Sequence, residues 1–218
     1  MANTLYIVRG IPGSGKSTFA KKMFTCPIFE NDMYFIKDGK YLYNQVKMRD
    51  AISWCMESVE LALKYGCDVV VANTFTKRKY VQAYKNLAEK NSAQVKVFRM
   101  YGDFKNVHDV PDHVFNNMRD NFEDWSDEIC VYPNINQDED DPCFRPYIMT
   151  QLKVGDKVEF EVCKDDEFDG TINSPMIKRI GEVTKISQGT YDYLNITFFD
   201  KESQTLRMAL PGDLKKVG

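Results

Sequence analysis

The run Gly10-Ile11-Pro12-Gly13-Ser14-Gly15-Lys16-Ser17 has the residue types and spacing needed to hold a polyphosphate. It satisfies G-x-x-x-x-G-K-[ST], with Gly10 and Gly15 as the fixed glycines, Lys16 as the cation and Ser17 as the hydroxyl. A loop wrapped around phosphates must approach them more closely than a Cβ permits and must turn its N–H groups inward, so glycines recur in it. Lys16 supplies a mobile positive charge for the β- and γ-phosphates, and the Ser17 hydroxyl is placed for Mg²⁺. The residues from Gly10 to Thr18 are therefore expected to form a nucleoside triphosphate site, with Ser17 as the metal-facing side chain.

Further candidates follow along the chain. Asp32 lies in the run Pro27 to Phe35, which reads as a short strand whose end delivers a carboxylate. Ligands gather at the carboxyl ends of strands in open α/β sheets, so Asp32 is a candidate general base; a helix-capping or turn aspartate is the alternative. Asn73 and Thr74 close a second apolar run, Asp68 to Ala72, and are candidates for the rim of the site or for satisfying a loop. Lys77, Arg78 and Lys79 open a basic helix that could touch phosphates or form a solvated face.

These residues need elements to position them. Thr4 to Val8 is a buried-strand run before the glycine loop, and Ser17 to Met23 is a helical opening after it, so the helix dipole would point at the phosphates. Asp38-Gly39-Lys40 is a turn, after which Tyr41 and Leu42 are expected to lead into a helix. Helical spacing is expected from about Gln45 to Tyr65, with Gly66 closing it, and again from Lys77 to Asn91. Gln94 to Met100 reads as a strand, and Val110-Pro111 starts a helix expected to reach about Trp125. Strands alternating with helices predict an α/β fold with a mainly parallel sheet sandwiched by helices.

The second half changes character. Tyr132 to Pro146 holds the acidic run Asp138-Glu139-Asp140-Asp141, with prolines and little apolar periodicity, and reads as a linker. From Leu152 onward alternating runs at 153–162, 179–186 and 194–199 predict short strands and a small all-β barrel, SH3-like or OB-like. The expected organisation is a nucleotide-binding domain over 1–130, a linker over 131–150 and a β-barrel domain over 151–218. The ligand of that β domain has no signature, because its strands carry no dense basic or aromatic stripe.

Charge and cysteine usage narrow the class. A formal net charge of −3 excludes a protein that holds nucleic acid through its overall field, leaving a local patch or a brief substrate encounter. The six cysteines lack a C-x-x-C pair and read as reduced thiols of a cytoplasmic protein. The chain enters its first strand at once, which leaves no room for a signal peptide, and no apolar run has the length of a membrane span.

With these residues in hand, the first 125 or so resemble the P-loop kinases related to phage polynucleotide 5′-kinase, of the AAA-33 type. Gly10 to Ser17 matches the phosphate loop, and Asn31-Asp32 followed by Tyr34 is similar to the family's Asp-Asp-Tyr segment. Val69 to Thr74 is similar to its apolar strand ending in Asp-Asn-Thr, and Asn106, His108, Val110 and Pro111 to its Asn-x-His-Gly-Val-Pro element. The resemblance implies transfer of the γ-phosphoryl group of ATP, with Mg²⁺, to a hydroxyl, with Lys16 and Asp32 catalytic. It further implies a 5′ end of RNA or DNA as acceptor, and Lys105, His108 and Arg119 as lid or substrate candidates beside Asn73 and Thr74. Departures are Met33 and Ala72 where the family has Asp, Lys105 where its lid usually has Arg, and a short segment between Met100 and Asn106. A small-metabolite kinase and an ATP-gated adaptor module remain alternatives of the same fold.

Overall fold

The computed structural model describes residues 2–104, 110–133, 147–163, 176–188, 194–202, 204, 205–209 and 214–217. The chain divides into two compact units, Met1–Pro133 and Asn134–Gly218.

The first unit contains β1 (Thr4–Arg9), α1 (Lys16–Met23), β2 (Ile28–Phe29), a 3-10 turn (Asn31–Phe35), β3 (Ile36–Lys37) and β4 (Lys40–Tyr41). A second 3-10 turn (Gln45–Lys47) leads into α2 (Met48–Lys64), followed by β5 (Val69–Asn73), α3 (Arg78–Lys90), β6 (Gln94–Met100), α4 (Asp112–Asp120) and β7 (Ile129–Pro133). Its main sheet runs β2-β5-β1-β6-β7, and every one of these pairings is parallel. Val69, Val70 and Val71 are wholly buried, as expected for a strand covered on both faces.

Side-chain alternation sorts the two faces. Leu5, Ile7, Val69, Val71 and Val97 pack with Cys55, Val59 and Leu63 of α2 and with Val81, Leu87 and Ala88 of α3. The opposite face carries Tyr6 and Phe98, which meet Phe19 and Phe24 at ring separations of 4.6 to 5.9 Å. α1 is thereby seated by Phe19, and the loop before it is fixed at the carboxyl end of the central strand.

Four local expectations are corrected. Asp32 lies on a 3-10 turn and not at a strand end: β2 stops at Phe29, and the Met33 N–H donates to the Glu30 carbonyl at 3.1 Å. Tyr41 and Leu42 do not lead into a helix but belong to a hairpin, because Asp38 (φ 50°) and Gly39 (φ 74°) both take the left-handed conformation of a tight hairpin turn. α4 ends at Asp120 and not at Trp125: the Glu123 N–H donates to the Thr76 carbonyl at 2.8 Å, and the Glu123 carbonyl accepts from Arg9 at 2.7 Å, so the chain is drawn out of helical geometry. Residues Ile129–Pro133, partly assigned to the linker, form β7 beside β6.

The second unit contains β8 (Tyr147–Thr150), β9 (Lys157–Cys163), β10 (Met176–Gln188), β11 (Leu194–Asp200), β12 (Thr205–Ala209) and β13 (Lys215–Lys216). The last five form an antiparallel sheet in the order β12-β11-β10-β9-β13. β10 spans 13 residues and serves both neighbours, pairing β9 through Met176–Glu182 and β11 through Gly181–Gln188, with a register shift between Val183 and Lys185. Phe160 and Phe198 lie 4.5 Å apart in its core, and the buried Asp200 accepts from Arg179 at 3.2 Å and Arg207 at 3.0 Å. Among the described residues β12 and β13 do not pair, so what is seen is an open antiparallel sheet. The acidic run Asp138–Asp141 lies outside the described residues.

Candidate functional site

The glycine loop leaves β1 at Gly10 and enters α1 at Lys16. A Cβ on Gly10 would fall 2.5 Å from Ser14 Oγ and 3.1 Å from the Met100 carbonyl, so only glycine lets the loop turn this tightly against β6. Gly15 (φ 88°) takes the left-handed conformation that starts the helix, and the Phe19 N–H returns to its carbonyl at 2.9 Å. The first turn of α1 holds no acidic residue, so the positive end of its dipole is left for an anion. Gly10 is tied to the neighbouring strand by its N–H, which donates to the Thr74 carbonyl at 3.3 Å.

Lys16 is folded back over the loop, its Nζ donating to the Ile11 carbonyl at 2.8 Å. Burial lowers its pKa to about 8, opposed by the nearby carboxylates of Glu30 and Asp32. An anionic ligand would raise that pKa again. Between the two values the complex binds more protons than the free protein, so triphosphate affinity is expected to be flat below about pH 8 and to fall above it, by at most about tenfold per pH unit. Calorimetric titration of ATP across that range checks this; a dissociation constant unchanged through pH 9 would show that Lys16 does not carry the charge.

The Ser17 hydroxyl donates to Glu30 Oε2 at 3.0 Å. Glu30 Oε1 is buried without a hydrogen-bond partner among the described residues, and burial raises the carboxyl's pKa, with Ser17 and Lys21 opposing. Glu30 was not among the sequence candidates. A buried carboxylate oxygen lacking a donor beside a phosphate-loop hydroxyl is the environment a hard cation fills, and oxygen ligands with retained waters suit Mg²⁺.

Asp32 sits two residues on and is half-buried, accepting from the Tyr41 hydroxyl at 3.2 Å. The Tyr41 pKa is pushed up to about 12, by burial first and then by the charge of Asp32. The turn carrying Asp32 is pinned from β5: Asn73 Oδ1 accepts from the Asn31 N–H at 2.9 Å, while its Nδ2 reaches Cys55 Sγ at 3.8 Å. Asn73 thus positions the carboxylate's turn, and Thr74 holds the loop through its backbone. The fold brings together Lys16, Ser17, Glu30, Asp32 and Asn73.

Arg119, exposed at the end of α4, lines a cavity of about 390 Å³ with Gly10, Ile11, Arg99, Phe115 and Phe122. Its Nε lies 3.2 Å from Asp120 Oδ1. Lys105 and His108 lie outside the described residues. Lys77 and Arg78 face away from phosphate duty: Lys77 pairs with Glu123 at 3.2 Å, and Arg78 Nε donates to the Asp124 carbonyl at 2.8 Å.

Directly before the loop lies a buried ion pair that sequence reasoning did not find. Arg9 and Glu128 are both fully buried, with Nη1 to Oε2 at 2.9 Å. Arg9 also donates to the carbonyls of Phe75 and Glu123, and Glu128 receives Arg99 at 3.3 Å. The Phe122 ring meets both guanidiniums, at 4.4 Å from Arg9 and 4.3 Å from Arg99.

Comparison with known proteins places this geometry. Residues 5–101 match the AAA domain family AAA_33, a segment that runs from β1 to just past the end of β6. An uncharacterized protein of Pasteurella multocida (strain Pm70) is 28% identical over 136 residues, covering 53% of this chain and 74% of its own. Among solved structures, a gluconokinase from Sinorhizobium meliloti 1021 shares 19% identity at a TM-score of 0.41, covering 60% of this chain and 82% of its own. A Chloroflexus aurantiacus J-10-fl protein shares 18% identity at a TM-score of 0.39; the match covers 46% of this chain and spans 59% of that protein's length. No helix among the described residues is long and apolar enough to cross a membrane.

Proposed function

We propose that this chain is an ATP-dependent phosphotransferase that moves the γ-phosphoryl group of ATP to a hydroxyl, the acceptor being a 5′-hydroxyl of RNA or DNA. The observation that carries the reading is the placement of Asp32: a half-buried carboxylate, held from β5 through Asn73 and Asn31, within the electrostatic reach of Lys16 on the phosphate loop. The match of residues 5–101 to the AAA domain family supports it.

In this reading the inward N–H groups of the loop and the dipole of α1 hold the triphosphate, and Lys16 exchanges the Ile11 carbonyl for phosphate oxygens. Ser17 and Glu30 are the residues that would hold Mg²⁺, whose chemistry when bound is to neutralise charge developing on the bridging oxygens. Asp32 accepts the proton of the attacking hydroxyl, and Arg119, which lines a cavity with Gly10 and Ile11, is the lid candidate that falls within the described residues. Phosphoryl transfer is mostly positioning and charge stabilisation, so little else is required of the protein.

A small-metabolite acceptor uses the same machinery, and the net charge of −3 suits it. An adaptor that binds ATP without transfer is favoured by Ala72 and opposed by the held Asp32. The small barrel closure of the C-terminal sheet, like its ligand, belongs to the same set of proposals. The test is transfer of labelled γ-phosphate, with Mg²⁺, to 5′-hydroxyl RNA and DNA oligonucleotides and to a panel of sugars and polyols, with Lys16→Ala as the control. Label on the oligonucleotide 5′ end, absent from the variant, is expected. Label only on the small hydroxyl compounds would move the assignment to a metabolite kinase, and ATP binding with no label anywhere would leave the adaptor.

A further inference from the structure

Next to Asp32 the chain exposes an unusual density of aromatic surface. Tyr41 and Tyr43 are 42% and 54% exposed, and their rings lie nearly parallel, 6.4 Å and 23° apart. Tyr41 ends β4 and Tyr43 follows two positions on, the two rings meeting side chain to side chain. Behind them the buried Phe35 supports each edge-on, at 6.4 Å from Tyr41 and 5.3 Å from Tyr43. The Leu42 N–H donates to the Phe35 carbonyl at 2.9 Å and locks the strand beyond the hairpin. Rings braced from behind and partly exposed form a surface prepared for something flat.

Charge says what kind of flat group. Within residues 36–49, Lys37, Lys40, Lys47 and Arg49 face one acid, Asp38, giving four minus one, or +3, in a chain whose total is −3. All four cations are exposed and form no ion pair among the described residues. Stacking rings with exposed cations within a few residues along the chain are the ingredients of single-stranded polynucleotide binding, where every base offers a π-face and every linkage a negative charge. The remaining link is distance to the chemistry: the Tyr41 hydroxyl itself holds Asp32 at 3.2 Å.

We propose that Tyr41 and Tyr43 form a stacking platform for the 5′-terminal base of a single-stranded polynucleotide acceptor, with Lys37, Lys40, Lys47 and Arg49 holding its phosphates. This rests on the kinase reading above and adds to it the means by which the acceptor is chosen. A nucleotide stacked there presents its 5′-hydroxyl toward Asp32, and the next phosphates run out along the basic segment. The platform reads stacking and charge and not base edges, so it accepts any sequence.

The experiment compares kcat/KM for phosphorylation of a 5′-hydroxyl oligonucleotide with that of the same oligonucleotide carrying an abasic 5′-terminal residue. In the wild type the intact acceptor is expected to be preferred by about tenfold or more, the scale of one base–aromatic stack. Tyr43→Ala should bring that preference close to one, and Tyr43→Trp should restore it, which a merely structural loss would not do. If the wild type phosphorylates oligonucleotides with no preference for the terminal base, or Tyr43→Ala keeps the preference, the platform is overturned while the kinase reading stands. If the wild type labels no oligonucleotide, the platform falls together with the polynucleotide acceptor, and the panel of sugars and polyols decides whether a kinase remains.

Discussion

Asp32→Asn is expected to lower the rate of phosphoryl transfer by about 10²- to 10⁴-fold, the range associated with loss of a positioned general base. The substitution is nearly isosteric and keeps a carbonyl oxygen to accept from the Tyr41 hydroxyl, and the Asn73–Asn31 contact that pins the turn does not involve the side chain at all. The loss therefore isolates proton acceptance from geometry. Asp32 also helps keep Lys16 charged, so a modest further lowering of the lysine's pKa accompanies the change. The measurement is single-turnover transfer at saturating ATP and acceptor, which removes binding from the comparison. A rate within about threefold of wild type would eliminate Asp32 as the base and leave positioning and Mg²⁺ to supply the acceleration.

Glu128→Ala is expected to cost about 3–5 kcal/mol of stability in the first unit, the scale for stripping one partner from a buried ion pair. Arg9 would keep its bonds to the Phe75 and Glu123 carbonyls but lose its directly bonded carboxylate, with Asp124 as a weaker counter-charge, and Arg99 would lose its buried partner as well. The double variant Arg9→Met with Glu128→Leu should recover most of the loss, because the pair's own desolvation cost disappears with it. Both tryptophans, Trp54 and Trp125, lie in this unit, so intrinsic fluorescence during urea unfolding follows it selectively. A double variant no more stable than Glu128→Ala would show that Arg9 and Glu128 contribute through their other contacts rather than through each other.

What the sequence showed and what it hid divide by range. The phosphate loop was legible because its chemistry is local: the spacing of Gly10, Gly15, Lys16 and Ser17 is itself the function. The parallel sheet was legible for the same reason, since Val69-Val70-Val71 declares a strand buried on both faces. Glu30 left no such trace, because a carboxylate two residues before Asp32 looks like any polar residue after a strand until the fold sets it against Ser17. Arg9 and Glu128 are separated by 119 positions, and nothing local marks either as paired. The turn signal at Asp38-Gly39 is visible, yet the two-residue strands it joins are too short to show alternation, so Tyr41 reads as leading into a helix and its link to Asp32 has no sequence signal. β7 was hidden by Pro133 and by the acidic stretch beyond it, and its identity depends on β6 lying alongside.

The bond from Lys16 Nζ to the Ile11 carbonyl gives the lysine's charge a partner within its own loop. In the proposed reaction, phosphate oxygens take the ammonium from that carbonyl, and the carbonyl takes it back when the phosphates withdraw. Entry and departure become an exchange of partners at one ammonium group, which never has to wait bare in a buried setting. After transfer, when the leaving nucleoside diphosphate has lost its terminal charge, the tether regains the advantage. The same contact opposes the binding of ATP and of product alike, so in the proposed reaction its cost falls on affinity at both ends of the cycle.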